Sequence, residues 1–470
     1  MRLRADQRHR PDGRPRPLAA AVAILMVASQ ASAGLRRRGE STGANARAGR
    51  TRRWRRRLVL ALAAVLMLAA CGGTGDQSAG GAPTLNWYIF PEPSGSFAAA
   101  AKECSAASNG EYSIAIQDLP SGADDQREQL VRRSSAEDSS LDILGLDVVW
   151  EAEFAEAGWI VPWTGQRRRQ VERDAVKAAL DTATWKGQLV AAPFNSNTQL
   201  LWYRKDLVPH PPRTWAEMIS QAEALARQGK PHYIEIQGAS YEGYTVWINA
   251  MVLSAGGQIL SDDGQQVVLG PPAQRGVELI GQLANSPAAD PSLSVQMEDQ
   301  NRLAFETGEA AFELNYPFVY PSAVENAPDL AKQMAWVEYP RVDADRPSRP
   351  PVGGIDLAVS AHSQHKEQAF DAIACLRNRP NQLRNAVKGG LPPTLASLYK
   401  DPKLIKGGYP FAAEIFNSLQ RGGIRPKTPA YQSVSIAISN TLHPPASAPA
   451  KFNQLRGQLQ DAIESKGLIP

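Results

Sequence analysis

The residues best equipped for chemistry in this chain are carboxylates, an amide and aromatic rings that follow short apolar runs. Asp147 comes directly after Leu141–Leu146, and Glu92 after Thr84–Phe90. Asn197 precedes the run Thr198–Tyr203, and Glu298 opens a helical pattern. Tyr241, Tyr316 and Trp150 lie close to these in sequence. Carboxylates and amides satisfy hydroxyl groups, and charged acceptors make the stronger bonds. Trp and Tyr offer flat apolar faces with a polar edge, which suits the carbon face of a pyranose ring. Sugar recognition needs both. Asp147, Asn197, Glu298 and Glu92 are therefore the polar candidates, and Trp150, Tyr241 and Tyr316 the stacking candidates. Trp185, Trp202 and Trp215 read as packing residues. Of the 10 tryptophans only Trp54 lies in the first 70 residues.

Catalytic patterns are sparse. There is no Gly-x-Ser-x-Gly and no His-Glu-x-x-His, and the one close histidine pair, His362-Ser-Gln-His365, reads as a solvated loop. No metal and no cofactor is expected. A secreted glycoside hydrolase also needs two carboxylates and aromatic walls, so residue counting alone leaves that class open. So does a receptor of similar build for another solute, such as a peptide. The reading taken is a binding protein, not an enzyme.

These candidates need elements to hold them. Thr84–Phe90, Tyr112–Leu119 and Leu141–Leu146 read as strands, separated by helices over Ser96–Ala107 and Asp124–Ser135. Strands alternating with helices imply βαβ units and a mostly parallel sheet. Ligands of such sheets sit beyond the carboxyl ends of the strands, where Asp147 and Glu92 fall. After Pro193 come strands Thr198–Tyr203, His232–Gln237 and Ala310–Asn315. Helices are expected over Glu242–Ser254, Pro272–Leu283 and Glu298–Glu306. Thr214-Trp-Ala-Glu217 has the spacing of a capping box. Residues 340–351 read as a loop, Ile355–Val359 as a strand, and the remainder from Lys366 mostly as helix.

The first 70 residues stand apart. Arg52-Arg-Trp-Arg-Arg-Arg57 precedes the apolar run Leu58–Ala70, which ends at Cys71. A basic segment, a short apolar segment and small residues make a secretory leader, and the run is shorter than the ~20 residues of a membrane-spanning helix. Leu68-Ala-Ala-Cys71 has the form of a bacterial lipobox, so Cys71 is expected to carry a diacylglycerol. An earlier apolar run, Leu18–Ala33, fits an over-long start, with Met26 or Val27 as alternatives. Residues 71–83, rich in Gly, are expected to form a flexible tether. The chain is thus expected on the outer face of the cell membrane, exported and lipid-anchored.

The net charge of +4 belongs to the leader. Without residues 1–70, which hold sixteen arginines and three acids, 35 basic and 44 acidic side chains remain, near −9. No basic stripe survives, and nucleic acid is not an expected partner. About 400 residues exceed one ordinary core, so two domains are expected.

Several blocks carry a family likeness. Trp185-Lys-Gly-Gln-Leu-Val-Ala-Ala-Pro193, Leu200-Leu-Trp-Tyr-Arg-Lys-Asp-Leu207 and Pro211-Pro-Arg-Thr-Trp-Ala-Glu217 resemble the hinge region of the carbohydrate receptors of ABC importers, the maltose-binding-protein-like family. Phe312–Phe318, Val352–Ala358 and Gly389-Gly-Leu-Pro392 follow in that family's order. Gly145–Trp159 and Asn197–Arg204 are similar to the trehalose-binding lipoproteins of actinobacteria. The resemblance implies an α/β chain with a two-lobed periplasmic-binding-protein type II fold and a hinged cleft. Lobe one would take residues 84–193 plus 353–405, and lobe two 194–352 plus 406–470. It also implies a disaccharide or short oligosaccharide, trehalose favoured, held by Asp147, Asn197, Glu298 and Tyr316, with Gly353, Gly354 and Ile355 beside it. ABC permease subunits would be the partners of a monomeric receptor. Two departures stand out: Tyr316 where that group has Trp, and Pro393-Thr-Leu-Ala396 where it has a sugar-binding Arg. A cleft without that guanidinium is expected.

Once Cys71 is acylated, Cys104 and Cys375 are the remaining thiols, and an exported chain meets an oxidising space. A disulfide between them is expected, the alternative being two free core thiols.

Overall fold

The computed structural model describes residues 81–464. The leader, Cys71 and the tether through residue 80 lie outside the described residues. The strands are β1 Thr84–Ile89, β2 Ser113–Asp118, β3 Ile143–Asp147, β4 Ile160–Val161, β5 Thr184–Trp185, β6 Gln188–Leu189, β7 Ala192–Asn197, β8 Leu200–Arg204, β9 Tyr233–Glu235, β10 Ala310–Asn315, β11 Met334–Val337, β12 Pro351–Ser360 and β13 Gly423–Ile424.

They form two main sheets, one per lobe. The first runs β13-β12-β3-β1-β2, with β4 and β7 also pairing with β12. As the alternating pattern predicts, β1 is parallel to β2 and β3. The centre differs: β12 lies antiparallel to both β3 and β7. A strand that arrives 204 residues after the end of β3 and 154 after the end of β7 is not bound to their direction by a crossover helix. The second sheet runs β11-β8-β10-β9.

Each lobe has its own core. Trp87, Phe97, Phe194, Leu357 and Ile373 pack together in the first, and Trp215, Trp247, Phe312 and Leu314 in the second. Each such side chain contributes about 1.5–3 kcal/mol by leaving water. Helix Trp215–Arg227 shows how the sequence builds these layers. Trp215, Met218, Ile219, Ala222 and Leu225 make one buried stripe. Thr214 accepts from the Glu217 amide at 3.1 Å, and the Glu217 carboxylate reaches back to the Arg213 amide at 2.7 Å.

The chain passes between lobes over a very short span. Strand β7 stays registered on β12 as far as Asn197, opposite Gly353, and β8 begins the second sheet at Leu200. Only Thr198 and Gln199 separate the two strands, four residues later than the crossing expected at Pro193. Leu398, Tyr399 and Leu404 share a core with Val176, Ala179 and Ala386 of the first lobe as well as with Leu200, Trp202, Phe305 and Ala310 of the second. Cys104 and Cys375 form a disulfide, Cα–Cα 5.8 Å, that ties helix Ser96–Ala107 to helix Lys366–Leu376. Among the described residues no helix is long and apolar enough to cross a membrane.

Candidate functional site

The site lies where strand ends of the two sheets face each other. Strand β3 delivers Asp147, which pairs in register with Ile355 on β12. Strand β7 delivers Asn197 opposite Gly353. The close approach of the two strands beside Asn197 depends on glycine. Gly354 has φ +132°, and a Cβ there would come within 2.2 Å of the Asn195 carbonyl oxygen. Asp147, Asn197, Gly353, Gly354 and Ile355 are thus brought to one end of one sheet.

The second lobe answers with helix starts and a strand end. Glu298 is the first residue of helix Glu298–Thr307, and Tyr241 caps helix Glu242–Ser254. The Tyr241 hydroxyl donates to Glu298 Oε2 at 2.7 Å. Tyr316 follows β10, and its amide donates to Asn315 Oδ1 at 2.8 Å. Asn315 Nδ2 in turn donates to the Glu298 carbonyl at 2.9 Å and to Glu313 Oε1 at 2.8 Å. One buried amide therefore fixes the backbone of both Glu298 and Tyr316.

Between the lobes sits a residue that sequence reasoning missed. Arg425 follows β13, and its side chain is 3% exposed. Nη2 donates to Asp147 Oδ1 at 2.8 Å, and Nη1 donates to Glu242. Glu242 also accepts from Tyr431 and Ser435. The turn after Gly389 carries no guanidinium, Pro393-Thr-Leu-Ala396 standing there; a different cation arrives from Gly423-Ile-Arg-Pro426. Nothing local marks Arg425 in the sequence, because its neighbours Asp147 and Glu242 are 278 and 183 residues away.

The electrostatics keep the phenols and the guanidinium protonated as donors. Burial pushes the Glu298 carboxyl up, and the Tyr241 hydroxyl opposes that shift. Burial and then Glu298 push the Tyr316 and Tyr241 phenols up, which keeps them protonated as donors. Burial raises Glu242, Arg425 pulls it back, and Asp147 raises it again. Burial works against the charge on Arg425, but Asp147, Tyr431 and Glu242 hold it firmly protonated. Asp147 is 20% exposed at its side chain, so it remains reachable while bound to Arg425.

Two candidates fall elsewhere. Trp150 is 3% exposed and packs with Val148, Phe154 and Tyr431 in the first-lobe core. A ring enclosed this way is a wall of the core, not a stacking surface. Both oxygens of Glu92 are spent on the start of helix Ser96–Ala107. They accept from the Ser94 amide at 2.8 Å, the Ser96 amide at 3.0 Å and the Ser96 hydroxyl at 2.9 Å. Glu92 is a cap, the common fate of an acid beyond a strand. The Gly-Gly-Leu-Pro turn bridges the lobes: Gly390 has φ +68°, and a Cβ there would lie 2.6 Å from the Phe318 Cα.

Residues 94–383 match the sequence pattern of the bacterial extracellular solute-binding proteins. A probable ABC transporter-binding protein of Deinococcus radiodurans is 27% identical over 371 residues, 74% of this chain and 86% of that protein. The maltotriose-binding protein of Pyrococcus abyssi is 23% identical over 311 residues, 64% of this chain and 65% of that protein. Among solved structures, maltose-bound MalE3 of T. maritima superposes with a TM-score of 0.73 at 24% identity, covering 83% of this chain and 100% of its own. The GacH receptor of Streptomyces glaucescens, solved unliganded and with acarbose, superposes at 0.70 and 18% identity, over 82% of this chain and 98% of its own.

Proposed function

Because this chain belongs to the bacterial extracellular solute-binding protein family, we propose that it is the sugar receptor of an ABC importer and holds a disaccharide or short oligosaccharide between its lobes. The observation that carries this reading is the convergence on Arg425. Carboxylates from both lobes, Asp147 and Glu242, meet on one guanidinium, and on the second lobe the Tyr241 hydroxyl holds Glu298 at 2.7 Å. A hydroxyl-rich ligand can accept from Arg425 and the tyrosines and donate to the carboxylates. A peptide or an ion uses that mixture less fully. The maltotriose named for one relative and the maltose and acarbose named for two structures point the same way.

Trehalose is the first sugar to test. The support is the likeness of Gly145–Trp159 and Asn197–Arg204 to trehalose-binding lipoproteins, and Arg425 now supplies a cation. Tyr316 keeps a ring where those receptors carry a larger one, so it takes the stacking role. In this reading the leader is removed, Cys71 is lipidated, and the receptor works as a monomer on the outer face of the membrane, passing sugar to permease subunits without chemistry of its own. Closure of the lobes about Thr198 and Gln199 would engage both halves of the site.

Asp147→Ala and Glu298→Ala, titrated by calorimetry with trehalose, maltose and sucrose, test this. Loss of a charge-assisted bond of about 1.5–3 kcal/mol weakens binding roughly 10- to 150-fold. Both variants binding the best sugar as tightly as wild type would place the ligand elsewhere.

A further inference from the structure

A second cavity, of about 390 Å³, opens on the first lobe beside helix Gly165–Glu172 and the end of helix Lys366–Leu376. It shares no lining residue with the cleft. Four arginines line it: Arg167, Arg173, Arg377 and Arg379. Two are neutralised. Arg167 pairs with Glu367 at 2.9 Å and with Asp371 at 3.5 Å, and Arg379 pairs with Asp401 at 2.7 Å. Arg173 and Arg377 meet no carboxylate at ion-pair distance among the described residues.

Arg377 is the informative one. It is 7% exposed. Its Nε donates to the Pro193 carbonyl at 3.1 Å and its Nη2 to the Val171 carbonyl at 3.3 Å. Its Nη1 has no partner among the described residues, yet it is not sealed from solvent, and the residue lines the cavity. Two carbonyls pin this guanidinium where the residue lines the cavity. Burial pulls its pKa down to about 10, and Asp356, the one anion acting on it, only partly offsets this. A buried cation without a paired anion is costly. Asp174 also lines the cavity, but its carboxylate is engaged by the Ser397 amide at 3.1 Å and by the Ser397 hydroxyl. Helix Arg379–Gly389 begins at the same place, adding the positive end of its dipole.

We propose that this cavity binds a small oxyanion, phosphate or sulfate, between the remaining Nη1 of Arg377 and the exposed Arg173, whose planar guanidinium fork matches oxyanion geometry. The site is tied to the lobe crossing, because the Pro193 carbonyl that holds Arg377 also accepts from Thr394 Oγ1 at 3.2 Å and lies on β7. An anion here would stiffen the base of the strand that leads out of lobe one.

The exported protein is titrated by calorimetry with sodium phosphate against chloride of matched ionic strength. Saturable single-site binding is expected, weakened at least tenfold by Arg173→Ala and unchanged by Arg213→Ala, which lies outside the cavity. Arg377→Met is expected to weaken it as much. Because that side chain also supports the fold, Arg173→Ala is the deciding variant. Phosphatidylglycerol vesicles that bind and are displaced by free phosphate would identify a lipid headgroup as the source. Vesicles that do not bind leave the soluble ion. Absence of saturable phosphate binding, or binding undiminished in Arg173→Ala, overturns the proposal.

Discussion

Replacing Arg425 with methionine tests the centre of the site. The substitution keeps most of the volume and removes the charge. It strands Asp147, bonded at 2.8 Å, and Glu242, whose side chain is 8% exposed. Breaking a buried ion pair by deleting one partner costs about 3–5 kcal/mol. Glu242 keeps its bonds from Tyr431 and Ser435, so the lower end, about 3 kcal/mol, is expected. With an unfolding entropy near 0.8 kcal/mol/K for roughly 380 ordered residues, that lowers Tm by about 4 °C. The loss must also depend on pH. Burial already raises the Glu242 carboxyl, and Arg425 is the group pulling it down. Without Arg425 the carboxyl rises further. An acid whose folded pKa exceeds its unfolded value of about 4.3 takes stability away as pH climbs from that value through the folded one. The deficit of Arg425→Met therefore grows as pH rises above about 4.3. Thermal unfolding of both proteins from pH 5 to pH 8 at constant ionic strength is the assay. A deficit under about 1 °C at pH 8, or the same deficit at both ends, would refute the reasoning.

Further outcomes follow from other buried groups. Glu235 and Glu313 face each other on β9 and β10, and burial raises each to about 8. The folded chain keeps protons there that the unfolded chain releases, so stability should fall from about pH 4.5 to 8, by up to ~1.4 kcal/mol per pH unit for each group. Glu313→Gln should flatten that decline, and an unchanged slope in Tm against pH would count against it. Cys375→Ser opens a loop spanning 271 residues and should cost on the order of 5 kcal/mol by the chain-entropy argument, read as a drop in Tm that dithiothreitol reproduces in wild type. Cys71→Ser should move the protein from the membrane fraction to the medium or stall it as a precursor; a membrane-bound product of mature size would contradict lipidation at Cys71.

The sequence was most readable where pattern and local chemistry agree. Helix Glu242–Ser254 and strand Ala310–Asn315 lie where their apolar patterns place them, and the cap at Thr214 follows from its own four residues. Asp147 could be picked out because it follows an apolar strand, whereas Asn197 is marked only by the family likeness of Asn197–Arg204, since the strand it ends, β7, is not read from the sequence. What sequence could not supply is long-range pairing. Arg425 is defined by partners far away in the chain, and the antiparallel setting of β12 leaves no trace in its own alternation. Glu92 and Trp150 fail for a different reason. An acid after a strand and a ring after an acid have a structural use as readily as a binding one, and which applies depends on what packs against them. For Glu92 it was the amides of Ser94 and Ser96; for Trp150 it was Phe154 and Tyr431.

The position of β12 in the first sheet also governs the order in which the molecule can assemble. It is the shared neighbour of β3, β4, β7 and β13, yet it spans Pro351–Ser360. A ribosome that has finished β3 at Asp147 must add about 200 residues before that strand exists, which at roughly 5–20 residues per second takes on the order of 10–40 s. Through that interval β3 and β7 are made but keep exposed edges, which are sticky. The second sheet, by contrast, is complete by Val337. Secretion of such a chain favours a route that keeps it extended until its last third has been made, and the half nearest the amino terminus is the last to close.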